Sequence, residues 1–417
     1  MTFAQEQWAT RSRLLGVSMS RRMAALAAFL VVMQGCSGES TQSNALESSG
    51  GRVYQSLQES RPLKLREELR FGEAGDSGLA FFVIRGVVQG ASRTIYVLDA
   101  GNHRVAVVDP QGRLIKSIGR HGDGPGEFVG ALHVSFARDT LVVTDNGNRV
   151  HFFSADGELI RTRVYSDLAV SGDGWHVSEV DGVPGGWLLT AVAYFGRKAE
   201  GGEASPAPRF RIRTFWVGKS GDLSETALRW EQPSPGVWSG LFWVQAPYAY
   251  RPAWAVDGLG RLVAADSAVY TLAILDEHGA RLRTIINEVT KVPVDGAALD
   301  RWRDAFKCRP GRECAPGGTE LALSLPRPEF LQAVGAISGF TGGYFAVRRA
   351  DTDPNMFDST VEGSWDFFDP SGRYLGSVPS GQMTPRWFDG QTLLTTQRAE
   401  TDEQYVVRYR LEGEGSE

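Results

Sequence analysis

Two histidines stand in the same short phrase, His133-Val-Ser and His176-Val-Ser, in a chain of 417 residues that has only six histidines. A neutral imidazole ligates metals and accepts protons near neutral pH, so the matched pair is the candidate position for a zinc or calcium ion. Catalytic zinc needs three protein ligands, and the matching places elsewhere offer Arg85 and Ala253 or Trp254 rather than a third histidine. The favoured reading is therefore two imidazoles that serve as polar filling or hold water, with no cofactor expected and a metal ion the alternative. A second cluster is aromatic: Trp238, Phe242, Trp243, Tyr248 and Tyr250, with Arg251 and Trp254 following. Aromatics beside arginine are typical of recognition surfaces, and they equally suit a loop that packs a small core of its own. The third is Cys308-Arg-Pro-Gly-Arg-Glu-Cys314. Its Pro-Gly turn lets the two cysteines approach, and an oxidising compartment would seal a disulfide; two free thiols are the alternative. No nucleophile elbow, zinc-protease helix, phosphate loop or carboxylate pair stands out, so no catalytic residue is assigned.

The elements that must position these residues announce themselves as a repeat. Ile95-Tyr-Val-Leu-Asp-Ala-Gly-Asn-His-Arg-Val105 and Leu141-Val-Val-Thr-Asp-Asn-Gly-Asn-Arg-Val150 share an apolar run, Asp-x-Gly-Asn and Arg-Val, with Asp99 and Asp145 46 residues apart. Short apolar strands at that period are the signature of a β-propeller blade. A turn glycine marks the last strand of each unit, at Gly112, Gly157, Gly221, Gly279 and Gly372, and lies 12 or 13 residues after Asp99, Asp145 and Asp266. Five blades are complete, and a sixth, from Gln391 to Leu411, lacks an outer strand. Residues 63–72 supply it and close the ring, which would otherwise leave blade edges unpaired. The expected fold is an all-β, six-bladed propeller of four antiparallel strands per blade over residues 61–413, with one helical insertion. Because Asp99, Asn102, Arg104, Asp145, Asn148 and Arg149 recur, they read as turn and strand supports; a catalytic group is needed only once.

Insertions say more than repeats. The long segments are two loops between second and third strands, 196–208 and 350–364, and two blade-to-blade crossings, 231–252 and 288–338. All four leave the same face of the ring, where binding functions usually sit. The second crossing carries a helix capped by Asp295, with Leu299, Trp302 and Phe306 spaced to dock it on the ring and the Cys308–Cys314 turn at its end. His133 and His176 fall in the innermost strands of blades two and three, where they can face one another across the channel.

Gly119-Arg-His-Gly-Asp-Gly-Pro-Gly-Glu-Phe128 followed by Leu141 to Phe153 resembles an NHL repeat, and Tyr96 to Gly119 does so nearly as well. The resemblance covers residues 71–163 strongly and the rest through strand and turn layout. It implies a propeller; NHL-like proteins include scaffolds, RNA-binding modules and some lyases or lactonases, so it does not settle function. A net charge of −5 argues against a general nucleic-acid partner.

Arg21-Arg22, the apolar run Met23–Met33 and Gln34-Gly35-Cys36 form an export signal over residues 1–35, with Met19 an alternative start. Its run is too short to cross a bilayer as a helix. The end resembles the lipobox of bacterial lipoproteins, implying cleavage after Gly35, lipidation of Cys36 and, with Ser37 next, an outer-membrane or periplasmic address. Plain secretion is the other reading. Residues 36–60 are polar and read as a tether. The function expected is a membrane-tethered binding or scaffold module that recognises a protein, peptide or glycan on its looped face. The alternative is a metal-dependent lactonase- or lyase-like enzyme with its site in the channel.

Overall fold

Six four-stranded antiparallel sheets follow one another along the chain and stand around a common axis. The structure, a computed structural model, describes residues 52–54, 61–73, 79–166, 168, 175–195, 209–233, 236–239, 242–305, 318–349, 363–381, 383–399 and 403–412. Blade one runs from Ile84–Gln89 to Leu114–Ile118, blade two from Ala131–Ala137 to Leu159–Val164, and blade three from His176–Val183 to Leu223–Pro233. Blade four runs from Ala253–Val256 to Arg281–Asn287 and blade five from Val334–Gly339 to Tyr374–Pro379. Blade six has Thr384–Phe388, Thr392–Arg398 and Gln404–Leu411 from the C-terminal end, and Leu65–Phe71 pairs antiparallel with Gln404–Leu411 as its outer strand. The propeller, its blade count and its N-terminal closure are as the sequence implies.

A middle strand of a blade is covered on both faces by neighbouring blades, so it is apolar throughout rather than alternating: every residue of Ile95–Asp99 is buried. One face meets Val134, Leu141 and Val143 of blade two and the other meets Leu394 and Val406 of blade six. The turn glycines do what the spacing demands. Gly112, Gly157, Gly279 and Gly372 have φ of 86°, 74°, 76° and 78°, a region costly for other residues. Each donates its N–H three residues back, to Asp109, Ser154, Asp276 and Asp369 respectively. Blade six is also tied to blade one by side chains: Gln404 Oε1 accepts from Ile84 N at 2.6 Å, and Arg408 Nη1 donates to Pro110 O at 3.1 Å.

The N-terminal segment covers more than one edge. Arg52–Tyr54, inside the stretch read as tether, pairs parallel with Arg281–Asn287 on blade four. Pro62 bridges Ser377 on blade five, Leu63 N and Ser377 N bonding to Ser377 O and Arg61 O. With Leu65–Phe71, the described parts of this segment are hydrogen-bonded to the outer edges of blades four, five and six.

The insertions differ from expectation in one respect. The crossing after blade three forms a hairpin, Gly236–Ser239 with Phe242–Gln245. The crossing after blade four carries helix α1, Gly296–Ala305, and a second, α2, Gly318–Ser324. Asp295 Oδ1 accepts from Ala298 N at 2.8 Å, capping α1. Trp302, expected to dock the helix on the ring, is buried against Val244 of the hairpin and Ala322 of α2, with Tyr248 and Leu325 beside it. The two crossings thus share one small core, because neither has enough apolar surface to fold alone. Phe306 and the Cys308–Cys314 turn lie outside the described residues, as do loops 196–208 and 350–362.

Candidate functional site

The inner strands of all six blades line a central cavity of about 400 Å³, within the range of small-ligand sites. In five blades the pairing of the first strand with the second slips by one residue, leaving Arg85, Leu132, Ser178, Gly335 and Arg386 as the extra residues. A bulge of this kind re-aims side chains. It lies near the start of each inner strand, which is the end reached by the blade-to-blade crossings. The bulged residues therefore sit toward the looped face.

Charge is unevenly shared around the cavity. Blades six, one, two and three supply Arg386, Arg85, His133, and Glu179 with Asp181; blades four and five present Ala255, Val256, Ile337 and Ser338. Asp257 also lines the cavity, but its carboxylate is spent on Arg261. His133 Nε2 lies 2.9 Å from Asp181 Oδ1. Burial alone would lower the imidazole, but the Asp181 and Glu179 carboxylates outweigh it and hold His133 up to about 9. Burial, helped by Asp181, lifts Glu179 to about 7, although His133 pulls it back in part. This wall therefore stores protons near neutral pH and can give or take one. Asp181 Oδ2 is buried and has no hydrogen-bond partner among the described residues. On the far side of blade one, burial and the neighbouring Arg85 lower Arg386 to about 10.

The histidine pair does not assemble. His133 pairs with Thr144 just after its bulge, and the residue in the same place in blade three is Glu179, paired with Thr190. His176 opens its strand three residues earlier, is exposed, and does not line the cavity. The repeated His-Val-Ser phrase is three residues out of structural register. Among the described residues no three His, Cys, Asp or Glu side chains are grouped to hold a metal. Of the aromatic cluster, Tyr248 Oη donates to Ala298 O at 2.5 Å and Tyr250 Oη to Phe330 O at 3.0 Å, while Arg251 N donates to Gln332 Oε1. These residues join the two crossings. Trp254 packs near Phe210 of blade three, 6.4 Å between ring centres, away from the cavity lining. The side chains of Trp238, Phe242 and Trp243, and Cys36, lie outside the described residues.

The recurring residues have recurring partners. Asp99 accepts from Phe82 N at 3.1 Å, Asn102 Nδ2 at 2.7 Å and Arg104 Nε at 3.2 Å. Asp145 accepts from Gly130 N at 2.7 Å, Val129 N at 3.1 Å and Arg149 Nη2 at 2.6 Å. Asn148 Oδ1 accepts from Val177 N and its Nδ2 donates to Tyr165 O and Trp175 O. Each set fastens a crossing to the end of a second strand. None of the six lines the cavity.

Comparison with known proteins yields the fold. The DUF5128 family model, described as a 6-bladed beta-propeller, matches residues 83–176. No curated relative matches the sequence. Among solved structures, a member of the DUF4221 family from Bacteroides vulgatus is similar at 9% identity, covering 85% of this chain and 99% of its own, with a TM-score of 0.50. A protein of Bacteroides fragilis described as exported has 12% identity, 87% and 99% coverage and a TM-score of 0.47. Virginiamycin B lyase from Staphylococcus aureus has 11% identity, 84% and 100% coverage and a TM-score of 0.39. At these identities the likeness concerns the fold alone. No helix among the described residues is long and apolar enough to cross a membrane.

Proposed function

We propose that this protein is an extracytoplasmic binding module, tethered through lipidated Cys36, that receives its ligand in the looped-face mouth of the central channel. The ligand is a small polar molecule, or the exposed end of a peptide or glycan narrow enough to enter. The observation that carries this reading is the convergence of five ionisable side chains from four successive blades on one cavity of about 400 Å³. Ionisable groups drawn into a poorly solvated cleft cost folding energy and are most often kept for function. The shared cap of hairpin and helices leaves the ring at the same face, from the crossings on either side of blade four. It supplies the remaining surface for a larger partner.

A second reading is favoured by the hydrogen-bonded His133–Asp181 pair beside Glu179. A carboxylic acid near pH 7 and an imidazolium next to it are the parts of a general acid and base, as a lyase- or lactonase-like enzyme would need. The test of the binding reading is retention. Purified protein is incubated with small-molecule and oligomer extracts of the cell envelope, filtered, and the retained compounds identified by mass spectrometry. Ser338→Trp, on the neutral wall, narrows the cavity while leaving the charged residues themselves in place, and should abolish retention while circular dichroism stays unchanged. Equal retention by both proteins would place the ligand on the looped cap instead. Turnover of a retained compound, lost in Glu179→Gln, would favour the enzymatic reading.

A further inference from the structure

We infer that Arg85 and Arg386 form an oxyanion-recognition subsite in the channel, taking a carboxylate or phosphate group of the ligand; this deepens the channel reading and rests on it. The two residues are the bulged positions of blades one and six, which adjoin at the ring closure. Arg386 is held rigidly: Nε donates to Thr396 Oγ1 at 3.0 Å, Nη1 to Arg85 O at 3.1 Å and Nη2 to Ile84 O at 3.4 Å. All three acceptors are neutral. Two of the five N–H donors of this guanidinium are therefore uncommitted. The Arg85 guanidinium makes no hydrogen bond or ion pair among the described residues, although it lines the same cavity.

Contrast with other half-buried arginines sets Arg386 apart. Arg104, Arg149, Arg261 and Arg349 lie within the fold, and each is paired with a fully buried aspartate: Asp99, Asp145, Asp257 and Asp366. This fold therefore neutralises its inward guanidiniums as a rule. At the meeting of blades six and one it places two of them together and, among the described residues, supplies no carboxylate within ion-pair distance. Like charges facing one channel repel, Arg386 half-buried and Arg85 exposed at its mouth, and Glu179, itself pushed toward its neutral form, does not offset them. A planar or tetrahedral oxyanion between the two would remove the repulsion and fill the open forks with charge-assisted hydrogen bonds. The stem of Trp387, next to Arg386 in the lining, and Gln89 complete a rim of mixed character.

The test uses the full-length protein in detergent, with inorganic phosphate, malonate and uncharged erythritol as probes at constant ionic strength, read by isothermal titration. Phosphate or malonate should bind and erythritol should not; the tighter of the two tells which group the subsite prefers. Arg85→Gln, which breaks no side-chain hydrogen bond or ion pair among the described residues, should weaken that binding at least 10-fold, and Arg386→Lys should weaken it less because the charge survives without the fork. Equal affinity in wild type and Arg85→Gln, or no binding of either oxyanion to wild type, overturns the subsite. In that event, continued loss of envelope-ligand retention in Ser338→Trp would show that the channel reading stands without it.

Discussion

At the scale of residues, the channel's chemistry is a matter of who shares protons and who is left charged. Both His133 and Glu179 are shifted upward, to about 9 and about 7. A group whose pKa is higher folded than unfolded favours the folded state at low pH and loses that contribution as pH rises through the folded value. Glu179 therefore weakens the fold between about 4.5 and 7, and His133 between about 6.5 and 9. His151 acts oppositely: burial between aromatic rings lowers it to about 4, so acid below about 6.5 is costly there. Glu179→Gln removes the first effect and part of the second. Subtracting its stability-versus-pH curve from that of the wild type should leave a slope that is steepest between pH 4.5 and 7, worth on the order of 1–2 kcal/mol because channel water screens part of the shift. A smaller change should extend up to about pH 9, because His133 loses one of the carboxylates that hold it up. Denaturant midpoints at successive pH values measure it, and parallel curves would remove Glu179 from the proton-storing wall. The sequence showed His133 and missed Glu179 and Asp181. Matching identical letters paired His133 with His176, whereas matching the buried valines Val134 and Val180 aligns His133 with Glu179. Arg386 was silent for a similar reason: a bulge, invisible in composition, is what turns it inward.

At the scale of elements, the strands were legible because each carries two independent signals, an apolar run and a turn that only glycine suits. The closing strand Leu65–Phe71 was legible by subtraction, since blade six lacked an edge. The helix Gly296–Ala305 was announced by its cap at Asp295, and a partner for Trp302 was not. The hairpin and the second helix are short, and their shared core is a contact between distant segments that no local pattern encodes. The closing strand is the element on which the ring depends. Phe71 is buried with Leu394 and Val406 of blade six and Val87 and Val97 of blade one, so Phe71→Ala should cost about 3 kcal/mol. Equilibrium unfolding should show that loss, with hydrogen exchange accelerated first in Gln404–Leu411, whose partner strand is weakened. An unchanged midpoint would mean that the side-chain ties from Gln404 and Arg408 close the ring without it.

At the scale of the whole molecule, the propeller divides its labour by position. The repeated aspartates, asparagines and arginines hold crossings to strands, Arg52–Tyr54 and Pro62–Phe71 cover three outer edges, and the cap of hairpin and helices rises from the crossings that flank blade four. What remains distinctive is the channel mouth, with charge on blades six, one, two and three and a neutral wall on blades four and five. Fold and closure followed from the repeat. The site did not, because it is made where blades depart from one another in only one or two residues at the same structural position. The direct measurement is a crystal structure of the protein with a compound retained from envelope extract. The account predicts density inside the channel, in contact with the Arg85–Arg386 side and reaching toward His133 and Glu179. Density on the cap or an outer blade edge, with the channel holding water alone, would contradict it.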